Sequence, residues 1–268
     1  MPEGPECKRI GESLAKEVSN KTLVGIDILG GRYTKKEPSG LSDLISELPI
    51  GVVGVGVHGK FIYWILLKEY SLWNTLGMSG FWSGEEQKHS RLKFRFLDGS
   101  HVYFNDTRNF GTIKLVKGKS ELLKKLQSLG PDMLSEDVED TTFIAALRKK
   151  NKHNICKVLM DQSVVAGVGN YVKAEALWLA RINPSHCVKD LSDQKLIQLN
   201  FAIKTVLRES YKSGGATIKS YQNFDGEIGD YSSRFLVYNQ KTDPHGNKVE
   251  KYQTPDGRTT HWVPNIQI

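Results

Sequence analysis

The dominant hydrophobic period of this chain changes at the acidic stretch Gly130–Asp140, and that change constrains the fold more than any other feature of the sequence. Between Val24 and Val116, apolar residues lie in short β-type runs, among them Val24–Ile28, Phe61–Leu67 and Val102–Phe104. After Asp140, apolar residues recur at helical spacing. Short alternating or apolar runs predict strands, and a spacing of three to four residues predicts amphipathic helices. The sequence therefore predicts an α+β fold in which a β-rich region precedes a helical one.

The N-terminal region, residues 1–134, is predicted to be a β-sandwich with flanking helices. A helix is expected over Pro5–Val18, where apolar residues recur at helical spacing, and another begins at Ser120, a residue type favoured at helix N-termini. The segment Gly30–Gly40 is expected to be a loop. Frequent short strands favour a sandwich. Further strands are predicted over Trp73–Trp82, Leu92–Phe96 and Thr112–Val116.

The acidic, proline-containing stretch Gly130–Asp140 is predicted to lead into a C-terminal helical domain, residues 135–268. After its helices, a glycine-rich loop over Ser213–Tyr231 is expected to lead to a terminal β-hairpin, from Phe235–Tyr238 to Trp262, within a finger of about residues 232–268. The four helices are predicted over Thr141–Lys150, Asn154–Asp161, Tyr171–Arg181 and Ser192–Lys212.

The charge balance favours a polyanionic partner. The net charge is +7 and the pI is about 9.1, as is common among nucleic-acid-binding proteins, although many basic proteins bind no polyanion. The longest apolar run, Phe61–Leu67, is much shorter than a membrane-spanning helix. Cys7, Cys156 and Cys187 form neither a disulfide framework nor a Cys-x-x-Cys pair. We therefore expect an intracellular protein that is neither secreted nor membrane-bound.

The first six residues, Met1–Glu6, contain two carboxylates, two prolines and a glycine. Removal of Met1 leaves the secondary amine of Pro2 as the terminus, and α-amino groups titrate near pH ~8. Such an amine can attack an aldehyde-like sugar carbon to form an iminium, and Glu3 beside it can move protons. The same residues also fit an ordinary helix start, with proline in the first turn and glutamate near the positive end of the helix dipole. On these residues alone, both interpretations stay open.

Together with a second motif, this N-terminus resembles the formamidopyrimidine-DNA glycosylase/endonuclease VIII family of base-excision repair enzymes. The second motif is Gly167–Tyr171, which resembles the turn of the family's helix–two-turn–helix. Glycines that admit a close backbone approach, together with a helix N-terminus, suit phosphate binding. The resemblance implies that Pro2 is the nucleophile and that Glu3 shuttles protons. It also implies that Asn170 binds a DNA phosphate and that Glu175 supports the active site, although Glu175 alone would be a solvated helix charge.

A second set of residues matches the family's device for filling the hole that an extruded base leaves. Flipping a base out of a duplex costs a few kcal/mol, part of which an apolar wedge and an arginine recover. The segment Asp106–Gly111 resembles the filling loop, with Arg108 and Phe110 as fillers and Met78 as the third. Met78 or Phe110 taken alone would be interpreted as a core side chain. The residue between the two loop fillers is often basic in relatives, but here it is Asn109, so we expect one phosphate contact to be missing.

Two further cations match positions that hold the DNA backbone in the family. Lys60 lies at the predicted tip of the hairpin between Val57 and Phe61 and matches the lysine that reaches the phosphate at the lesion. Arg258 follows Gly257 in a segment that resembles the family's DNA-contacting β-turn. Without the resemblance, a lysine at a hairpin tip would indicate solubility alone.

The C-terminal finger departs from the family pattern. Relatives commonly end in a four-cysteine zinc finger, but the corresponding positions, within Asp243–Asn247 and Trp262–Gln267, contain no cysteine. The finger resembles the zincless finger of the endonuclease VIII-like branch. His245 and His261 without cysteines or a spaced partner pair make a poor zinc site, so we expect no metal and no cofactor.

The resemblance implies a bifunctional DNA glycosylase/AP lyase that excises oxidised bases in base excision repair. The Pro2 amine would form a Schiff base at C1′, and β,δ-elimination would follow. The expected partner is damaged double-stranded DNA, and the protein is expected to be a monomer. The glycine-rich loop, Gly214–Tyr231, favours oxidised purines as substrates, whereas a zincless finger favours oxidised pyrimidines and hydantoins.

Two other functions stay open. A non-catalytic DNA-binding or architectural protein would also use the basic charge and the two-turn motif, but would have no need of Pro2 and Glu3. An N-terminal-proline tautomerase would account for the amine and leave the DNA-binding motifs unexplained.

Overall fold

The computed structural model describes residues 2–216 and 229–268 of the chain. The chain forms two compact units, and the α+β class is confirmed. Among the described residues, no helix is both long and apolar enough to cross a membrane. The first unit holds Met1–Pro2, Glu6–Gln127 and Gly214–Gly229, and the second holds Glu3–Pro5, Ser128–Ser213 and Asp230–Ile268.

The described part of the first unit is built from eight antiparallel strands and three helices. The helices are α1 (Gly4–Val18), α2 (Leu41–Ile45) and α3 (Lys119–Gln127), with a 3-10 turn at Gly31–Thr34. The strands are β1 (Thr22–Ile28), β2 (Ile50–His58), β3 (Phe61–Leu66), β4 (Tyr70–Thr75), β5 (Gly80–Ser83), β6 (Ser90–Phe96), β7 (His101–Asp106) and β8 (Thr112–Lys117).

The eight strands form two halves that face each other. Their order is β5-β7-β6-β1-β2-β3-β4-β8, so β3 is a neighbour of neither β5 nor β6. Nevertheless, the ring of Trp64 on β3 contacts Trp82 on β5 and Phe94 on β6, with ring centroids 5.3 Å apart in both pairs. All three rings are buried, which puts the core between the two halves. The predicted β-sandwich with flanking helices is confirmed.

The prediction of one strand over Trp73–Trp82 is wrong. The strand β4 ends at Thr75, and β5 begins only at Gly80. Between them Gly77 has φ +61°, a left-handed conformation that glycine adopts without steric cost. The site also has no room for a side chain, because a Cβ on Gly77 would lie only 2.7 Å from the backbone nitrogen of Gly111. The chain therefore turns at this glycine, and the turn contains Met78.

The described part of the second unit contains four helices and a two-stranded finger. The finger strands are β9 (Glu250–Gln253) and β10 (Thr259–Trp262), with Thr260 paired to Tyr252. Further 3-10 turns lie at Val188–Asp190 and Tyr231–Arg234. The helices are α4 (Asp140–Arg148), α5 (Ile155–Met160), α6 (Asn170–Leu179) and α7 (Asp193–Lys212).

Helices α5 and α6 flank a turn that one side chain ties together. The Gln162 carboxamide accepts a hydrogen bond from the Gly167 N–H at 3.0 Å and donates one to the Val168 carbonyl at 3.0 Å. Helix α6 is buried over Tyr171–Trp178. The two-turn connection therefore has a fixed shape, and α6 forms the centre of the second unit.

The predicted strand over Phe235–Tyr238 is absent. Instead, the backbone N–H groups of Leu236, Val237 and Tyr238 donate to the carboxylate of Glu175 on α6, at 2.8, 2.9 and 2.7 Å. Backbone amides that are satisfied by one carboxylate are not available to a neighbouring strand. The alternation of apolar residues in this segment therefore reflects packing against α6.

Candidate active site

The carboxylate of Glu3 is bound to the N-terminus of α6. Its Oε1 accepts a hydrogen bond from the Tyr171 N–H at 2.9 Å, and its Oε2 accepts one from the Val172 N–H at 3.3 Å. These N–H groups belong to the first helical turn, where no carbonyl of the helix can accept them and where the helix dipole favours negative charge. Glu3 is only 2 % exposed. The carboxylate therefore has a single defined position.

Two glycines make this approach possible. A Cβ on Gly169 would overlap with the Glu3 carboxyl group. The Gly4 N–H donates to the Gly167 carbonyl at 2.9 Å, and a Cβ on Gly4 would lie 3.1 Å from the Gly167 backbone. Gly169 of the two-turn motif and Gly4 of the N-terminal segment thus allow the two segments to approach each other.

Asn170 and Arg258 line one cavity of about 410 Å³ in the second unit. The Asn170 side-chain amide donates to the Thr259 carbonyl on β10 at 3.0 Å, which links α6 to the finger. Arg258 lies in the turn between β9 and β10 and is half-buried. The cavity is also lined by Tyr238, Asn239, Lys251, Thr259 and His261.

The chemistry of this cavity suits an anion. Burial raises the pKa of the Tyr238 hydroxyl, and Asn170 and Arg258 offset part of that rise. Burial, and then the charge of Lys251, lower the pKa of His261, whose ring nitrogens have no hydrogen-bond partner in the described part of the chain. The cavity thus offers neutral donors and two cations, the set that commonly binds phosphate oxygens.

Glu175 is fully buried and binds three backbone amides, as described above. Burial raises the pKa of its carboxyl group, and the three N–H donors lower it again in part. The alternative of a solvated helix charge is therefore excluded. Through Leu236–Tyr238, Glu175 fixes the segment that enters the finger and carries Tyr238.

In the first unit, Asp106 joins the two loops that contain the predicted hole-filling residues. Its carboxylate accepts hydrogen bonds from the Ser79 hydroxyl at 2.5 Å, the Arg108 N–H at 3.2 Å and the Gly111 N–H at 2.6 Å. Ser79 is next to Met78, and the Arg108 and Gly111 N–H groups lie before and after Phe110 in the chain. A buried carboxylate with three donors holds both loops in one arrangement.

The three predicted fillers lie outside the core. Phe110 is 55 % exposed, and the Arg108 guanidinium lies over its ring at 5.1 Å from the centroid. Met78 is half-buried. Because Phe110 is exposed, its ring buries less apolar surface on folding than a core side chain would. The interpretation of Phe110 and Met78 as core side chains is therefore wrong.

Lys60 and Pro2 also belong to the first unit. Lys60 is half-buried in the two-residue turn between β2 and β3, where His58 pairs with Phe61, so its predicted place at a hairpin tip is confirmed. Pro2 is buried and precedes Glu3 directly in the chain. Asn170, Glu175, Arg258 and Glu3 form the set in the second unit.

The sequence did not reveal that Arg32 is hydrogen-bonded to Asn109. Asn109 has φ +56°, and its side-chain and main-chain oxygens accept hydrogen bonds from the Arg32 backbone N–H and guanidinium, each at 3.4 Å. Arg32 is exposed, so a cation does lie beside the filling loop although position 109 is uncharged. Arg32 is 77 residues away in the chain, and only its basic character was visible in the sequence.

The residues at the positions of the family's zinc-binding cysteines do not fit a zinc site. The Asp243 carboxylate accepts the N–H groups of His245 and Asn247, at 2.9 and 2.8 Å. Val263 and Ile266 pack in an apolar cluster with residues of α6. Within residues 2–216 and 229–268, no three His, Cys, Asp or Glu side chains are grouped closely enough to hold a metal ion.

Three models of one protein family match the chain. The formamidopyrimidine-DNA glycosylase N-terminal domain matches residues 1–113, the H2TH domain of the same enzyme matches residues 129–222, and its C-terminal domain matches residues 225–268.

Proteins with the same name are similar to this chain over their whole length. The formamidopyrimidine-DNA glycosylases of Shouchella clausii and Oceanobacillus iheyensis are each 34 % identical to this chain, covering 100 % of it and 99 % and 98 % of their own length. The MutM (Fpg) protein of Thermus thermophilus has a TM-score of 0.87 at 29 % identity and covers 99 % of this chain and 98 % of its own. A Lactococcus lactis FPG mutant in complex with a Fapy-dG containing DNA has a TM-score of 0.86 at 27 % identity, covering 99 % of both chains.

Proposed function

Because the chain belongs to the formamidopyrimidine-DNA glycosylase family, we propose that it is a DNA glycosylase with AP lyase activity that excises oxidised bases in base excision repair. The observation that carries the proposal is the Glu3 carboxylate, which is fixed at the N-terminus of α6 and adjoins Pro2 in the chain. A protein that only binds DNA has no need of an N-terminal amine next to a positioned carboxylate. We assign the substrate as damaged double-stranded DNA, the location as intracellular and the active form as a monomer.

The proposed reaction begins with the amine of Pro2 after Met1 has been removed. The nitrogen lone pair forms a bond to C1′ as the glycosidic bond breaks and the base leaves with the bonding electrons. The attacking nitrogen loses its proton to the Glu3 carboxylate, and Glu3 then gives this proton to O4′ as the sugar ring opens, which leaves an iminium at C1′ and a hydroxyl at C4′. Loss of a C2′ proton then expels the 3′ phosphate, and a second elimination expels the 5′ phosphate. The product is a gap of one nucleotide with phosphate ends.

The proposed DNA contacts are made by the residues that the sequence singled out. Asn170 and Arg258 would bind the backbone at the flipped nucleotide, and Lys60 would bind the phosphate at the lesion. Met78, Arg108 and Phe110 would enter the space that the base vacates. Glu175 would act on the site through the backbone it holds.

A panel of oligonucleotides tests the proposal. Each carries one defined lesion, in duplex and in single-stranded form, and the products are resolved by size. We expect cleavage at an oxidised base in duplex DNA that leaves phosphate on both ends. Binding to every duplex without cleavage of any would instead support the architectural alternative. Most of the loop over Gly214–Tyr231, from which the sequence predicted a preference for oxidised purines, lies outside the described residues. The panel therefore also serves to identify the preferred lesion.

Arg108 is expected to set the preference for the opposite base. Replacing it by alanine removes an edge contact to the unpaired base opposite the lesion. Such a contact contributes about 1–3 kcal/mol to discrimination between opposite bases. The measurement is kcat/KM for one lesion placed opposite each of the four bases. Arg95→Ala is the matched control, because Arg95 is an exposed arginine of the same unit that pairs with Asp27 at 2.8 Å. A loss by one common factor in all four contexts would assign Arg108 to phosphate binding.

The finger is expected to work without metal, as in the zincless branch. Since the matching models and relatives carry the formamidopyrimidine-DNA glycosylase name, that branch stays a prediction. A zinc finger depends on its ion for folding, whereas this finger is held by Val263, Ile266 and Asp243. EDTA should leave both the melting temperature and the cleavage rate unchanged. Stoichiometric zinc by elemental analysis, or inactivation by EDTA that zinc reverses, would contradict this.

A further inference from the structure

We propose that Lys173 is a positioning residue that aims Arg258 at the DNA backbone through Asp256. The inference rests on the proposed function, since it requires that Arg258 contact a phosphate. Lys173 lies in the first turn of α6, and Asp256 lies in the Thr254–Arg258 turn between β9 and β10.

The side chains of Lys173 and Asp256 form a buried ion pair. The Lys173 Nζ lies 2.6 Å from the Asp256 Oδ2, and the two side chains are 0 % and 5 % exposed. A buried ammonium ion is costly unless it is paired, whereas exposed pairs stabilise little. Burial alone would raise the pKa of Asp256, but hydrogen bonds from Lys173 and Thr254 and the charge of Lys173 lower it on balance. The pair therefore holds both side chains in one place.

The second oxygen of Asp256 transmits that position to Arg258. The Asp256 Oδ1 accepts the Arg258 backbone N–H at 3.2 Å and a hydrogen bond from the Thr254 hydroxyl. The Thr254 N–H donates to the Arg258 carbonyl at 2.9 Å, which closes the turn. Gly257 supplies the positive φ of +76° that so tight a turn requires. The peptide groups on both sides of the Arg258 Cα are thus fixed by groups that Asp256 orders.

A second contact from α6 fixes the other side of Arg258. Asn170, three residues before Lys173, donates to the carbonyl of Thr259 at 3.0 Å. The two α6 side chains therefore hold the residues before and after Arg258. Binding to DNA costs conformational entropy in the arginine side chain and in the backbone that carries it. Because the backbone of Arg258 is already fixed, less conformational entropy is lost on binding. The pair sits where it can raise DNA affinity without touching DNA.

The test is a double-mutant cycle between positions 173 and 258, read as affinity for a duplex with a tetrahydrofuran abasic analogue. Lys173→Met should weaken binding about tenfold in the wild-type background and less than about twofold in the Arg258→Ala background. It should also lower the slope of log K against log salt by about 1, as Arg258→Ala does, because one phosphate contact is lost. A buried lysine with only a structural role would leave that slope unchanged.

Three further variants keep the test decisive. Lys173→Met/Asp256→Asn removes the charge that Lys173→Met leaves unpaired, and it should fold while still losing affinity. Lys173→Arg should recover part of the binding. Lys195→Met is the control, since Lys195 donates to the Ala180 and Arg181 carbonyls in the same unit and should lose stability only.

Equal losses from Lys173→Met in both backgrounds, or an unchanged salt slope, would overturn the inference. A wild-type protein that neither binds the abasic analogue nor cleaves damaged duplex would instead reject the proposed function. The two failures are thus distinguished by the wild-type measurement.

Discussion

Protein that retains Met1 should give no borohydride-trapped complex on abasic duplex DNA. With Met1 in place, the nitrogen of Pro2 is a tertiary amide without a nucleophilic lone pair, so no iminium forms for borohydride to reduce. The yield should fall by roughly a thousandfold or more, the scale of loss when a covalent nucleophile is removed. The matched comparison is one preparation before and after treatment with a methionine aminopeptidase, with the N-terminus identified by mass.

A crosslink of normal yield from protein with Met1 fully retained would assign the nucleophile to another residue. A lysine would then be the first candidate. Pro2→Gly distinguishes a requirement for the secondary amine from a requirement for any terminal amine, because glycine retains a primary amine after Met1 has been removed.

Glu3→Gln should abolish removal of an intact damaged base while leaving DNA binding in place. Loss of a general acid or base costs roughly 10²- to 10⁴-fold in rate. The variant should keep more activity on a preformed abasic site, where the base has already left. Single-turnover rates on a lesion duplex and on an abasic duplex, with affinity measured separately, test both statements. Equal rates for the variant and the wild type on the lesion would exclude the role.

The amide is the right replacement because Glu3 has a structural task as well. Its Oε1 accepts the Tyr171 N–H and its Oε2 accepts the Val172 N–H. A glutamine carbonyl can still accept one of these two N–H groups, whereas its NH2 group cannot accept the other. Glu3→Ala leaves both buried donors unsatisfied, which costs on the order of 1–3 kcal/mol each. A loss of stability that is larger in Glu3→Ala than in Glu3→Gln, with base removal abolished in both, separates anchoring from proton transfer.

The parts of the site that the sequence predicted are those whose signal is local. The two-turn motif has its glycines, its asparagine and its helix start within a few adjacent residues, Gly167–Tyr171. Lys60 occupies a two-residue turn between two clear strand patterns, β2 and β3. The short strands and their turns likewise predicted the sandwich.

The parts that sequence reasoning missed depend on partners far away in the chain. Lys173 has the appearance of a solvated helix charge, and it is buried only because Asp256, 83 residues later, receives it. The segment Phe235–Tyr238 alternates as a strand does, but its amides bind Glu175, 61 to 63 residues away. The hydrophobic period of a segment does not reveal such partners. It indicates which face of the segment is buried, but not which residues pack against that face.

Helix α6 has a consequence for how this molecule reaches its folded state. An isolated two-stranded hairpin is at best marginally stable in water, and β9–β10 is such a hairpin. Its long-range hydrogen bonds run to Asn170 and Lys173 across 89 and 83 residues, so loop closure delays them relative to local helix formation. We expect the hairpin to acquire structure late, on an α6 that is already formed. The finger is thus not a portable module, and transplanting it to another scaffold would require transplanting the charges of α6 with it.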